Sequence, residues 1–189
     1  MPEFIQNIDT AIFYWINNGW SNSLLDKIMP FVTTVDSWIL IYLLGFYVLF
    51  FKTGKIGKIT GITLILTIII SDQISSSVLK EYFGRIRPCH TLPDVNLLVG
   101  CGGGKSFPSS HAVNNFASAT VTTYFFKKNY MLFYSIAAIV AISRVYVGVH
   151  FPLDITAGAI IGTLIGFGVA IGINYFITRF NYSHFFKKE

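Results

Sequence analysis

The stretch LDITAGAIIGTLIGFGVAIGINYFIT, residues 153–178, decides the fold class of this chain. After Asp154 it contains no charged residue, and about 20 apolar residues are enough for a helix to cross the hydrocarbon core of a bilayer. Gly158, Gly162 and Gly166 recur at four-residue spacing, which permits close contact with a neighbouring helix. The stretch therefore predicts a membrane-spanning helix that packs tightly within a bundle.

Four further apolar runs lie upstream of this stretch and predict spans near 33–51, 57–79, 110–126 and 130–147. Only 12% of the 189 residues are charged, whereas in a soluble domain about a quarter are. We therefore predict an all-α fold, a polytopic integral-membrane helical bundle of about five transmembrane helices. The run at 110–126 is short and rather polar, so we expect it to lie inside the bundle.

The N-terminal segment differs from the spans because polar residues interrupt its apolar pattern. Residues 4–16 place an apolar stripe on one helical face, which with Trp15 and Trp20 predicts an amphipathic helix in the membrane interface. A helix packed over the end of the bundle is also compatible with this pattern. No cleavable signal peptide is expected, because the start of the chain lacks a basic region and a small-residue cleavage site.

The length of the chain predicts one membrane-embedded domain over residues 1–189. Within it we expect an interfacial N-terminal segment at 1–32, the five-span bundle at 33–178 and a basic cytoplasmic tail at 179–189.

Positively charged residues in the short loops predict the orientation of the bundle. They are Lys52, Lys55, Lys58, Lys127, Lys128, Arg179, Lys187 and Lys188. With five spans these residues share one side, which we assign to the cytoplasm. The N-terminal segment, the 80–109 loop and the 148–152 turn then face the periplasm of a bacterial inner membrane. The net charge of +5 does not predict nucleic-acid binding, because the basic residues form no patch.

Three polar segments map to the predicted periplasmic side: KEYFGRIRP at 80–88, FPSSHA at 107–112 and SRVYVGVHFPLD at 143–154. They come from distant parts of the chain, yet the predicted topology brings them to one end of the bundle. This convergence is stronger evidence for a site than any one segment.

The cationic residues of these segments predict a phosphate site. Arg87 and Arg144 can bind a phosphate through two parallel hydrogen bonds each, and Lys80 adds a point charge. Ser109 precedes a predicted helix, whose free backbone amides and dipole attract an anion.

Two histidines and a carboxylate add the means for chemistry to this phosphate site. His111 lies in the second segment and His150 in the third, four residues before Asp154. Pro152 suits the first turn of the following helix, so Asp154 can reach back to a ring nitrogen of His150 and fix its tautomer. The set therefore predicts a phosphate pocket with a nucleophile and an acid.

Each residue also has an interpretation without chemistry. Taken alone, Arg85 and its neighbouring cations are better explained as charges flanking a helix at the membrane interface. Ser109 can be an N-cap, Asp154 a first-turn acid favoured by the helix dipole, and His150 a polar residue at a helix junction. Arg144 is harder to explain in this way, because it lies near the end of an apolar helix where an unpaired arginine is costly.

Taken together, the three segments resemble the type 2 phosphatidic acid phosphatase superfamily of membrane lipid phosphatases, which is related to bacterial acid phosphatases and vanadium haloperoxidases. The family pattern K-x6-R-P is matched by Lys80, Arg87 and Pro88. The pattern P-S-G-H is matched by Pro108, Ser109 and His111. The pattern S-R-x5-H-x3-D is matched by Ser143, Arg144, His150 and Asp154. The one departure is Ser110, where the family usually has glycine. The resemblance covers roughly residues 9–178.

The resemblance implies a role for each of these residues. His150 would attack phosphorus and form a phosphohistidine, Asp154 would orient and activate it, and His111 would protonate the leaving oxygen. The phosphoryl oxygens would be held by Lys80, Arg87, Ser109, Ser110 and Arg144. The implied reaction needs neither a metal nor a cofactor.

The implied substrate is a membrane lipid phosphate or diphosphate, and the lipid bilayer is the other expected partner. We expect lipid A 1-phosphate or undecaprenyl diphosphate, with phosphatidylglycerophosphate or phosphatidic acid as alternatives. A non-catalytic protein that binds lipid phosphate is a further alternative. A haloperoxidase is disfavoured because those relatives are soluble. No obligate protein partner and no nucleic acid are predicted.

Two features stay open at the level of sequence. Cys89 and Cys101 flank a loop and form either a disulfide or two free thiols, and with His90 they do not give a recognisable zinc spacing. Asp72 lies within the second predicted span, where an acid is either functional or the partner of a polar helix face.

Overall fold

The computed structural model describes residues 2–180. Within that range the chain forms nine α-helices, which in chain order are α1 Glu3–Asn17, α2 Leu25–Thr33, α3 Ile39–Phe51, α4 Gly54–Asp72, α5 Lys80–Phe83, α6 Pro88–Thr91, α7 Ser110–Phe126, α8 Tyr130–Tyr146 and α9 Pro152–Arg179. A 3-10 turn at Val35–Trp38 precedes α3, and a π-helical segment at Gln73–Leu79 joins α4 to α5. The predicted tail residues Lys187 and Lys188 lie outside the described range.

The all-α fold is confirmed for the described residues, whereas the predicted number of five spans is not. Two helical stretches, Gly54–Phe83 and α9, are long and apolar enough to cross a bilayer. A third would result if α2 and Val35–Phe51 formed one span, but they are bent by 80°. α8 is apolar but has 17 residues, or about 25 Å of helix, which is shorter than a hydrocarbon core of about 30 Å.

The described helices are arranged around α7, which contacts α4, α8 and α9. The glycine stripe of α9 faces α7, because an added Cβ at Gly158 would lie 2.9 Å from the carbonyl oxygen of Ser109. The buried face of α4 consists of small and hydroxyl residues: Gly57, Thr60, Gly61, Thr63, Thr67 and Ser71. The predicted close packing of the glycine stripe and the interior position of the 110–126 helix are both confirmed.

Large apolar side chains cover outward faces of the helices. Leu40 and Leu43 on α3 and Leu164 on α9 are among the most exposed of them. Such a surface is unfavourable in water and suits the acyl chains of a bilayer.

The helix α1 packs over one end of the bundle, as one of the two interpretations of its sequence expected. Its buried face carries Asp9, Phe13 and Asn17, whereas Ile8 and Ile12 of the predicted apolar stripe are exposed. The location of that exposed stripe in the membrane interface remains a prediction.

The turn between α8 and α9 is built into the same end of the molecule. Phe13 of α1 and Phe151 of the turn belong to one buried apolar cluster, and the side-chain amide of Asn17 donates to the carbonyl of Tyr146 at 2.6 Å. Gly148 has a φ of +87°, a conformation that favours glycine. This turn carries His150 into the interior.

Candidate active site

His150 lies in the turn before α9 and is almost fully buried, with 1% of its surface exposed. Burial, opposed by the charge of Asp154, lowers the pKa of His150 to about 4, so the imidazole is neutral at neutral pH. Nδ1 lies 3.4 Å from Oδ2 of Asp154, which is longer than an ordinary N–H···O bond of about 2.7–3.2 Å. The imidazole and the carboxylate therefore interact through an electrostatic contact.

Asp154 lies in the first turn of α9 with both carboxylate oxygens engaged. Oδ2 accepts a hydrogen bond from the backbone N–H of Phe151 at 2.8 Å, and Oδ1 accepts one from Nη1 of Arg85 at 2.8 Å. The backbone carbonyl of Asp154 accepts the N–H of Ser109 at 3.0 Å. This last bond fastens the start of α7 to the start of α9, so two of the three predicted segments meet here.

Arg144 is held at the end of α8 by the bent region between α2 and α3. Its Nη1 donates to the hydroxyl of Thr33, the last residue of α2, at 2.7 Å. His111 interacts electrostatically with Arg144 and His150 and contacts the backbone of Thr33. Thr33 therefore positions both Arg144, which is predicted to bind phosphate, and His111, the predicted acid.

Arg87 joins the 80–88 segment to the turn before α9. Its Nε donates to the carbonyl of Gly103 at 2.8 Å, and its Nη1 lies 3.4 Å from the carbonyl of Val149. Lys80 interacts electrostatically with both Arg87 and Arg144. The three predicted cations therefore lie near one another, although they belong to three different parts of the chain.

Ser109 occupies the N-cap position of α7, but its side chain makes no capping hydrogen bond. The explanation of Ser109 as only a helix cap is therefore not supported. Its hydroxyl is buried and has no partner among the described residues.

Among residues 2–180, the buried side-chain atoms without a hydrogen-bond partner belong to three residues of the predicted site: Ser109 Oγ, Arg144 Nε and His150 Nδ1. Buried polar atoms are nearly always hydrogen-bonded, so each exception requires an explanation. Ser109 Oγ and Arg144 Nε can donate hydrogen bonds to an anion, and His150 Nδ1 lies beside Asp154. The arrangement therefore suits an anionic group that supplies the missing acceptors.

Ser110 and Asp72 belong to one polar network between α4 and α7. The hydroxyls of Ser110 and Ser76 are 3.1 Å apart, and Ser76 Oγ donates to Asp72 Oδ1 at 3.4 Å. Asn114 Nδ2 approaches the same carboxylate oxygen at 3.3 Å. Asp72 is thus the partner of a polar helix face, and the hydroxyl of Ser110 is tied to the π-helical segment before Lys80.

Cys89 and Cys101 form a disulfide, which answers the question that the sequence left open. The bridge closes the loop that leads to the carbonyls of Gly103 and Gly104, which accept hydrogen bonds from Arg87. The disulfide therefore supports the position of Arg87, which is predicted to bind phosphate.

Residues 61–178 match the PAP2 superfamily. The chain belongs to this superfamily. The match contains all three segments that meet at the end of the bundle, so the family expected from the sequence is confirmed.

Comparison with individual PAP2 proteins gives the same result. The chain is 34% identical over 173 residues to a lipid A 4′-phosphatase from Porphyromonas gingivalis, covering 87% of this chain and 72% of that protein. It is 32% identical over 167 residues to an undecaprenyl-diphosphatase from Sulfolobus acidocaldarius, covering 86% of this chain and 78% of that protein.

A solved structure shares the fold. It is the transmembrane PAP2-type phosphatidylglycerolphosphate phosphatase from Bacillus subtilis, which superposes with a TM-score of 0.73 at 26% identity and covers 95% of this chain and 90% of that one. This chain is therefore an enzyme, a membrane lipid phosphatase of the PAP2 type.

Three residues at the site are not among those that the sequence predicts for it. Its sequence context predicts that Arg85 is an interfacial charge, but Arg85 binds Asp154 and also Asp9 of α1. Thr33 lies before the bend between α2 and α3. The sequence could have indicated that Asp9 is buried, because it shares a helical face with Phe13. No feature of the sequence indicates the role of Thr33.

Proposed function

We propose that this protein is a metal-independent phosphatase that removes phosphate from a membrane lipid through a phosphohistidine on His150. Lys80, Arg87, Arg144, Ser109 and the start of α7 at Ser110 hold the phosphoryl oxygens. His111 is the general acid, and Asp154 supports the nucleophile.

The observation that carries this proposal is the set of buried, unpartnered polar atoms on Ser109, Arg144 and His150. A phosphoryl group between them would accept hydrogen bonds from the hydroxyl and the guanidinium, and its phosphorus would face the imidazole. The positive charge that stabilises the transition state comes from three cationic side chains, so the reaction requires no metal ion.

The reaction has two steps. In the first, Nε2 of the neutral His150 forms a bond to phosphorus, the bond from phosphorus to the lipid oxygen breaks, and His111 gives that oxygen a proton. Asp154 stabilises the positive charge that develops on the imidazole of His150. In the second step, water loses a proton to His111 and attacks phosphorus, which breaks the P–N bond and releases phosphate.

For the substrate we propose a phosphate of lipid A, with the 4′ position favoured over the 1 position expected from the sequence. The 34% identity to a lipid A 4′-phosphatase supports this choice. Undecaprenyl diphosphate is the second candidate, supported by the relative that hydrolyses undecaprenyl diphosphate.

We propose that the site faces the periplasm from a bacterial inner membrane. Lys52 and Lys58 flank the start of α4, and Lys127 follows the end of α7. These residues are at the opposite helix ends from Lys80 and Ser109, which agrees with a cytoplasmic location for the basic loops.

A substrate panel with purified protein in detergent tests this proposal. Phosphate release is measured from lipid A, undecaprenyl diphosphate and phosphatidylglycerophosphate in the presence of EDTA, and mass spectrometry identifies the position cleaved on lipid A. We expect the fastest release from lipid A at the 4′ position, resistance to EDTA and inhibition by vanadate.

Two histidine variants complete the test. His150→Ala should abolish release, whereas His90→Ala, a change at an exposed histidine, should retain it. Full activity of His150→Ala, or loss of activity in EDTA, would contradict the proposed mechanism. Preference for another lipid would contradict only the substrate.

A further inference from the structure

Arg85 forms a bridge between two buried carboxylates that are far apart in the sequence. Its Nη1 donates to Oδ1 of Asp154 at 2.8 Å, and its Nη2 donates to Oδ2 of Asp9 at 2.6 Å. The guanidinium carbon also lies 4.0 Å from the centre of the Phe151 ring. The side chain is thus fixed by three contacts, one of them with the turn that carries His150.

The bridge acts on the residue that supports the nucleophile. The side chain of Asp154 is fully buried, and a buried carboxylate without a cationic partner tends to take up a proton and lose its charge. A neutral Asp154 would not stabilise the imidazolium of His150. The bond from Arg85 to Oδ1 also leaves Oδ2, the oxygen nearest His150, directed at the imidazole.

Asp9 extends this arrangement to the N-terminal helix. Its Oδ1 accepts the backbone N–H of Leu153 at 2.9 Å, one of the free amides of the first turn of α9. Its Oδ2 binds Arg85, so both oxygens of this buried carboxylate contact groups next to Asp154. α1 is therefore connected to the catalytic turn through two directed bonds as well as apolar packing.

We propose that Arg85 is a positioning residue that keeps Asp154 charged and directed at His150, and that Asp9 couples α1 to the nucleophile through Arg85. The proposal rests on the proposed function, because it assumes that His150 and Asp154 act in the reaction. It assigns a role to two residues that the three family patterns do not specify.

The test compares kcat, KM and the inhibition constant of inorganic phosphate for Arg85→Gln, Arg85→Lys, Asp9→Asn and the double variant Asp9→Asn/Arg85→Gln. Glu81→Gln is the matched control, because Glu81 lies in the same segment, is exposed and pairs with Lys105. Melting temperatures in detergent are measured for all variants.

We expect Arg85→Gln to lower kcat by about 10- to 100-fold, the effect that losing the partner of a metal-binding side chain typically has on activity. KM and the phosphate inhibition constant should stay unchanged, because the guanidinium of Arg85 is engaged by Asp9 and Asp154 and is not one of the groups proposed to hold the phosphoryl oxygens. Arg85→Lys keeps a positive charge and should recover part of kcat. Asp9→Asn should lower kcat less, and it should add nothing in the Arg85→Gln background. Glu81→Gln should match the wild type.

Wild-type kcat in Arg85→Gln would overturn the inference, as would a parallel rise of KM and the phosphate constant, which would indicate collapse of the phosphate pocket. Fully additive effects of the two substitutions, or failure of Arg85→Lys to fold, would also overturn it. An active His150→Ala variant would overturn the proposed function itself. An inactive His150→Ala beside an unimpaired Arg85→Gln would overturn only the positioning role.

Discussion

The substitution Gly166→Ala tests how closely α7 and α9 pack. A Cβ added at Gly166 would lie 2.6 Å from the carbonyl oxygen of Ala117 and 2.8 Å from Cβ of Thr120. Ordinary van der Waals contact begins at 3.4 Å, so the helices must separate locally by up to 0.8 Å, the difference between 3.4 and 2.6 Å. The obstructing oxygen belongs to the backbone and cannot turn away by a change of rotamer.

Gly168→Ala provides a matched control on the same helix. Gly168 is exposed, and an added Cβ would meet no atom of residues 2–180 within 4 Å. Both substitutions gain the same intrinsic helix propensity, so the difference between them isolates the packing cost. Overpacking of a tight contact costs about 1–3 kcal/mol, and 1 kcal/mol shifts the melting temperature of a chain of this size by about 2–4 °C.

We therefore expect Gly166→Ala to melt about 2–12 °C below Gly168→Ala. The assay is the apparent melting temperature by tryptophan fluorescence in one detergent, at one scan rate, because unfolding of such a protein can be irreversible. Equal melting temperatures, or a lower one for Gly168→Ala, would refute the view that the glycine stripe forms the α7–α9 contact.

Three further predictions concern the site. Burial lowers the pKa of His150 to about 4, so the imidazole stays neutral as pH falls below 6.5 and becomes protonated only near pH 4. After correction for substrate ionisation, kcat/KM should therefore fall on the acidic side near pH 4. A fall near pH 6.5 would contradict this prediction. Ser110→Gly removes the bond to Ser76 and should lower the free energy of unfolding by about 1 kcal/mol while activity is retained. A folded but inactive variant would show that the hydroxyl has more than a supporting role. Thr33→Val removes the acceptor of Arg144 and should raise KM and the phosphate inhibition constant. Thr34→Val, at a neighbouring exposed hydroxyl that donates to the carbonyl of Pro30, should leave both unchanged.

The helices of the bundle could be predicted from the sequence where apolar pattern and helix signals agree. The runs at 110–126 and 130–147 correspond to α7 and α8 within a residue at each end, and the run at 153–178 corresponds to α9. The run at 33–51 predicts one span, but α2 ends at its first residue, Thr33, and the chain bends by 80° there before Val35–Phe51. Thr34 adopts an extended conformation there, which hydrophobicity alone does not reveal.

In the site too, contacts between residues close in the sequence could be predicted, whereas contacts between distant residues could not. His150 and Asp154 are four residues apart and on adjoining elements, so their proximity could be predicted from spacing alone. Arg85 and Asp9 are separated by 76 residues, and no periodic pattern connects them. An arginine near the end of an apolar helix has the same local sequence whether it binds lipid headgroups or a buried carboxylate, and only the packing of α1 decides between these.

The phosphohistidine proposed on His150 can be detected by trapping the intermediate. Protein is mixed with substrate carrying 32P in the phosphate that is cleaved, the reaction is stopped in alkali within its first turnovers, and protein-bound label is measured after electrophoresis. A phosphohistidine on His150 predicts label that survives alkali, is released by acid, maps to the peptide containing His150 and is absent from His150→Ala. Label that persists in His150→Ala, or maps to another residue, would contradict it.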